Sequence, residues 1–164
     1  MSHVEDIGRK IRVGVITVSD TRTKETDKGG TLVQSYLDDD GYEITHYRIV
    51  KDDVNAIQSE LKEMLNTVDA VITTGGTGIA KRDVTIEAVS SFFVKELEGF
   101  GEIFRMLSYT EDIGARSILS RATAGTSEDN KMIISLPGST GAVKLAMERL
   151  VVPELKHMIS ELNK

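Results

Sequence analysis

The chain has 164 residues, 40% apolar and 28% charged, the profile of one folded domain rather than a disordered chain or two enzymes. With 26 acidic against 20 basic residues the net charge is −6, and no run of Lys or Arg supplies the basic face that broad nucleic-acid binding needs. The absence of cysteine excludes disulfides, thiolate zinc, iron–sulfur clusters and cysteine nucleophiles, and no apolar run approaches the ~18 residues of a membrane span.

The opening MSHVEDIGRK lacks the apolar stretch of a signal peptide, so a cytoplasmic location is expected. From Arg12 to Val18 an apolar run predicts a strand buried on both faces. Leu32, Val33, Tyr36 and Leu37 follow at helical spacing, and Gly41 stops that helix. Tyr42 to Val50, rich in β-branched and aromatic residues, is a second strand. Val54, Ile57, Leu61 and Met64 line one face of a second helix, with Asp53 placed to cap it. Ala70 to Thr74 is a third strand, followed at once by Gly75-Gly-Thr-Gly78.

Helices are expected from Val84 to Phe92 and from Glu98 to Ile113. Leu119–Gly125 and Lys131–Leu136 flank the turn sequence Ser127-Glu-Asp-Asn130 and predict a hairpin, so one strand runs antiparallel to the rest. Two closing helices carry Val143, Met147 and Leu150, then Leu155, Met158, Ile159 and Leu162, separated near Pro153. No internal repeat or linker interrupts the pattern. It describes a single α/β layer sandwich over 1–164, with its core at about 10–160.

In such sheets ligands bind beyond the carboxyl ends of the parallel strands. The unusual residues fall there: Ser19-Asp20-Thr21 after the first strand, Asp52-Asp53 after the second, the glycine loop and Lys81-Arg82-Asp83 after the third, and Pro137-Gly-Ser-Thr140 after the last. Three glycines in four positions let backbone N–H groups cradle a phosphate, although a tight turn without ligand also explains them. The loop lacks the Gly-Lys-Ser/Thr ending of a Walker A motif, and Lys81 stands where a dinucleotide fingerprint needs its third glycine. Asp83 can simply cap the helix after it, and Asp52 can be a loop carboxylate. Together, two carboxylates beside a phosphate loop match a magnesium–nucleotide site. His3, His46 and His157 are too scattered to make a ligand cluster.

Thr73-Thr-Gly-Gly-Thr-Gly78, Arg82-Asp83-Val-Thr85 and Glu87-Ala88 resemble the signature of the MoaB/MogA family of molybdenum-cofactor biosynthesis proteins. The resemblance continues through Glu98-Gly-Phe-Gly101, Phe104-Arg-Met-Leu-Ser-Tyr109, Ile113-Gly114, Leu119-Ser-Arg-Ala122 and Leu136-Pro-Gly-Ser139, with MoaB-type members matching best at Glu98–Tyr109 and Pro-Gly-Ser. It implies a molybdopterin-binding fold, a three-layer α/β sandwich with a mostly parallel sheet and one antiparallel edge strand, assembled as trimers or hexamers. It also implies Mg²⁺-dependent adenylylation of molybdopterin by ATP, with pyrophosphate released. Asp83 and Asp52 match the acidic positions expected to act in catalysis and to hold Mg²⁺, with Asp53 a register alternative. Gly75, Gly76, Thr77 and Gly78 match the phosphate-proximal loop. Ser19 and Asp20 match the first-strand loop, while Ser108, Ser120, Pro137, Gly138 and Ser139 match pocket motifs. The ending Pro-Gly-Ser-Thr departs from the Pro-Gly-Asn-Pro of several relatives.

A non-catalytic molybdopterin binder or carrier is the competing reading, with the molybdate-inserting enzyme of the pathway a candidate partner. Domains of that enzyme and the competence-damage-related hydrolases have the same architecture but other glycine-loop sequences. Phe92, Phe93, Phe100 and Phe104, with Met106 and Leu107, are either core or part of a subunit interface.

Overall fold

The computed structural model describes residues 7–164; His3 lies outside them. Strand β1 (Arg12–Val18) leads through helix α1 (Lys28–Asp39) to β2 (Glu43–Val50), then through α2 (Val54–Met64) to β3 (Ala70–Thr74). Next come α3 (Thr85–Ser90), the two-residue β4 (Lys95–Glu96), α4 (Glu98–Glu111) and a 3-10 turn, Gly114–Leu119. The hairpin β5 (Thr123–Thr126) and β6 (Met132–Leu136) precedes α5 (Thr140–Ala146), a π-helical turn Met147–Val151 and α6 (Val152–Leu162).

The strands form one sheet in the order β2-β1-β3-β6-β5-β4. β1 pairs parallel with β2 and β3, and β3 parallel with β6, whereas β5 runs antiparallel to both β6 and β4. The expected mostly parallel sheet with an antiparallel edge is therefore present, and β4 adds a short outer strand that the sequence pattern did not reveal. The register sets Val18 beside Val50, Thr17 beside Thr74, and Thr74 beside Leu136, so four parallel strands end level with one another.

Alternation along β1 builds three layers. Val13 and Val15 pack toward Val33 and Leu37 of α1, Phe104 of α4, and Val143 and Leu155 of α5 and α6. Ile16 and Val18 pack on the other face with Ile57, Leu61 and Met64 of α2 and Ala88 and Val89 of α3. Asp27 caps α1 by accepting from the Gly30 N–H at 2.9 Å. Asp53 caps α2 as expected, accepting from the Ala56 N–H at 2.9 Å. Gly41 follows α1 at φ 83°, a left-handed turn in which a Cβ would be strained.

Two expectations need correction. Pro153 does not separate two helices: α5, the π turn and α6 follow one another without a break. Proline has no N–H for the carbonyl four residues back, and widening the preceding turn to π geometry accommodates that loss. Nor does Asp83 cap α3, which starts later, at Thr85, and has no side-chain cap bond. The Asp83 carboxylate instead turns back to accept from the Ala80 N–H at 2.9 Å.

Candidate active site at the carboxyl edge of the sheet

The level ends of β1, β2, β3 and β6 open into a cavity of about 580 Å³. Ser19, Asp20, Asp52, Gly75, Gly76, Asp83, Gly138 and Ser139, all singled out from sequence, line it together. The first turns of α1 (Lys28, Gly29) and α5 (Thr140) border the same space. Helix N-termini present unpaired amides and the positive end of the backbone dipole, so this rim favours an anion.

The glycine loop is shaped by contacts that only glycine permits. Gly75 has φ 101° and Gly76 φ 73°, both left-handed. A Cβ on Gly75 would strike the Val18 carbonyl oxygen, and one on Gly76 the Thr85 hydroxyl. Thr85 fixes the turn, donating Oγ1–H to the Gly75 carbonyl at 2.8 Å and N–H to the Gly76 carbonyl at 3.1 Å. On the other side, the Gly75 N–H donates to the Leu136 carbonyl at 2.9 Å, which ties the loop to the end of β6.

Asp20 and Asp52 stitch the β1 and β2 loops reciprocally. The Asp20 N–H donates to Asp52 Oδ2 at 3.1 Å, and the Asp52 N–H to Asp20 Oδ1 at 3.0 Å. Burial, then the neighbouring Asp20 carboxylate, pushes the Asp52 carboxyl above the usual aspartate range; Asp83 adds to this, while the Asp20 N–H and Arg82 oppose it. Asp53, the register alternative, caps α2 and does not line the cavity.

Whether these residues fit a magnesium ion can be judged from that crowding. Among the described residues no cluster of three or more His, Cys, Asp or Glu could hold a metal on its own. Mg²⁺ commonly takes only one or two carboxylates and completes its shell with water and substrate phosphate. Asp52 and Asp83 line the same cavity, and the Asp83 carboxylate helps push the Asp52 carboxyl above its usual range, an arrangement that a divalent cation would relieve. The donor set fits.

The buried polar floor was not legible in the sequence. Asp27, 3% exposed, accepts from Thr17 Oγ1 at 2.6 Å and from the Tyr47 hydroxyl, besides capping α1. Burial and the Asp27 carboxylate hold the Tyr47 phenol protonated, far above its ordinary value. Asp27 and Thr17 line the cavity, as do Arg22 and Arg82.

Five matched residues lie elsewhere. Thr77 is buried, and its carbonyl accepts from the Arg121 N–H at 2.9 Å, while the Gly78 carbonyl accepts from the Arg121 guanidinium. The Pro137 carbonyl accepts from Thr74 Oγ1 at 3.0 Å. Ser108 is buried on α4, and Ser120 borders a separate cleft with Arg105 and Glu98. The described histidines are partnered and apart: His46 contacts Thr45 and Thr67, and His157 contacts Glu154 and Glu161.

Residues 14–157 match the family model of the probable molybdopterin binding domain. The chain belongs to that family. The chain is 58% identical over 163 residues to molybdenum cofactor biosynthesis protein B of Staphylococcus epidermidis, covering 96% of this chain and 92% of that one. The crystal structure of a molybdenum cofactor biosynthesis protein B superposes with TM-score 0.91 at 51% identity, covering 96% of this chain and 99% of the other. A tungsten cofactor synthesizing protein MoaB from Pyrococcus furiosus superposes with TM-score 0.86 at 39% identity, covering 95% and 99%. The chain thus has the molybdopterin-binding fold of these relatives, with Gly75, Gly76, Asp52 and Asp83 gathered at one edge of the sheet.

Proposed function

We propose that this chain serves molybdenum-cofactor biosynthesis by adenylylating molybdopterin with ATP, releasing pyrophosphate. A terminal phosphate oxygen of molybdopterin attacks the α-phosphorus of ATP, and the bond to the β-phosphate breaks as pyrophosphate leaves. The observation that carries the reading is that Asp52 and Asp83 line one cavity with a left-handed glycine loop and two helix N-termini. The phosphate nucleophile is already ionised at neutral pH, so no side-chain nucleophile is required. Positioning and charge stabilisation then supply the catalysis.

Asp52 and Asp83 would hold Mg²⁺, which when bound offsets the charge developing on the phosphate oxygens. The glycine loop lets backbone approach the phosphates closely, and Arg22, Lys28 and Arg82 lend positive charge to the cavity of an acidic protein. Asp20 holds the Asp52 loop in place through their reciprocal hydrogen bonds.

Single-turnover incubation with molybdopterin, labelled ATP and Mg²⁺ tests this. Adenylyl-molybdopterin that disappears on chelation supports the transferase. Tight molybdopterin binding without product, under conditions where a known transferase works, replaces it with the carrier reading.

Self-association as a trimer or hexamer belongs to the same proposal, as do a cytoplasmic location and hand-over to the molybdate-inserting enzyme. Phe100 and Phe104 are core, whereas Ile103, Met106 and Tyr109 of α4 and Ile113, Ile118 and Leu119 beyond it are exposed. Exposed apolar residues of that kind on a charged protein support a subunit contact.

A further inference from the structure

We infer that Arg121 is a positioning residue for the transfer proposed above, acting through the glycine loop and Asp83 without lining the cavity. After Gly78 the chain makes a four-residue excursion, Ile79–Arg82, all exposed, before it returns at Asp83. Arg121 closes the neck of that excursion. Its Nε and Nη2 donate to the Gly78 carbonyl at 3.0 and 2.8 Å, and Nη2 also donates to the Asp83 carbonyl at 3.1 Å. The Arg121 N–H fixes the Thr77 carbonyl at 2.9 Å. Within the neck, Ala80 and Asp83 exchange two bonds: Asp83 N–H to the Ala80 carbonyl, and Ala80 N–H to Asp83 Oδ2, both at 2.9 Å.

The guanidinium is itself held by Glu87 on α3, through Nη1 to Oε2 and Nη2 to Oε1. A planar fork can satisfy two carbonyls and a carboxylate in one fixed geometry, which a lysine ammonium does not reproduce. A small misplacement of a phosphate-facing loop is costly in a reaction that depends on positioning. Arg121 therefore sets where Asp83 and Arg82 stand at the cavity.

The test compares wild type, Arg121→Lys, Glu87→Gln, Asp83→Asn and the Arg121→Lys/Asp83→Asn double variant, all in the full chain. For Arg121→Lys we expect a 10- to 100-fold slower single-turnover rate with the Mg-ATP concentration dependence within threefold of wild type. Glu87→Gln, which keeps the arginine but loosens its anchor, falls between the two. In the Asp83→Asn background, Arg121→Lys costs less than a further threefold, because both changes disable one device. Independently of turnover, hydrogen exchange at the Ala80 and Asp83 amides should rise at least tenfold in Arg121→Lys, with the first turn of α1 unchanged.

A full rate in Arg121→Lys, fully multiplicative losses in the double variant, or unchanged exchange at Ala80 and Asp83 overturns the assignment. If wild type itself forms no product, the transfer reading falls. The exchange result then decides alone whether Arg121 holds the neck.

Discussion

Asp83 and Asp52 line one cavity but meet different surroundings. The Asp83 carboxylate closes a local turn with Ala80, while Asp52 is half-buried against Asp20. Asp83→Asn keeps a side-chain oxygen for the Ala80 N–H, so the fold should survive while adenylylation drops at least tenfold, about 1.4 kcal/mol of transition-state stabilisation. Full turnover by that variant would remove Asp83 from the mechanism. Asp52 carries a stability signature as well. Its folded-state proton affinity is raised by burial and by Asp20, so the folded protein binds more protons than the unfolded chain between the ordinary aspartate value and the raised one. Stability contributed by Asp52 therefore falls as pH rises through that window, and the cost persists above it. Asp52→Asn, lacking the charge, should melt on the order of 1 °C higher than wild type at neutral pH and low salt, with the gain vanishing in acid, while transfer activity falls. A melting curve below wild type throughout that range would contradict the crowding.

At the scale of elements, Asp27 joins the start of α1, the end of β1 and the middle of β2 through Gly30, Thr17 and Tyr47. Asp27→Ala removes a helix cap and strands two hydroxyls, and should cost about 2–4 kcal/mol in urea denaturation. A loss below about 1 kcal/mol would mean the hydroxyls find water instead. Asp27 was not legible in the sequence because its meaning lies in residues far from it along the chain. Nothing local announced either its cap on α1 or its bond from Tyr47. By contrast β1 and β3 were legible to their last residues, since a buried strand writes its burial into a continuous apolar run. Asp53 as cap and Gly41 as stop were equally local, and both stand where the pattern put them. The short β4 and the π turn were not, because two residues carry no periodicity and Pro153 alone does not say how a helix absorbs it. Arg121 escaped for another reason. It precedes an antiparallel strand, and such a strand brings its leading end to the rim where parallel strands bring their trailing ends.

For the whole molecule, the self-association proposed above rests on the exposed apolar residues Met106, Tyr109, Ile113, Ile118 and Leu119. Light scattering should give a mass three or six times the 18.0 kDa of one chain, and a particle of one chain at working concentration would reject self-association. Ile118→Glu, at a position 78% exposed, should lower the mass without lowering the helical content of the chain.

The central β3–β6 pairing has a kinetic consequence. Thr74 meets Leu136 across a long stretch of chain, whereas β1, β2 and β3 are joined by single crossovers. Loop closure of that length is slow, so helices and the β1–β2–β3 half should form before β6 docks. Until it docks, the Gly75 N–H lacks the Leu136 carbonyl, and Gly138 and Ser139 are absent from the rim. Refolding followed by far-ultraviolet circular dichroism should therefore run ahead of recovery of the transfer activity proposed above, and coincident time courses would show that the rim assembles with the first half of the sheet.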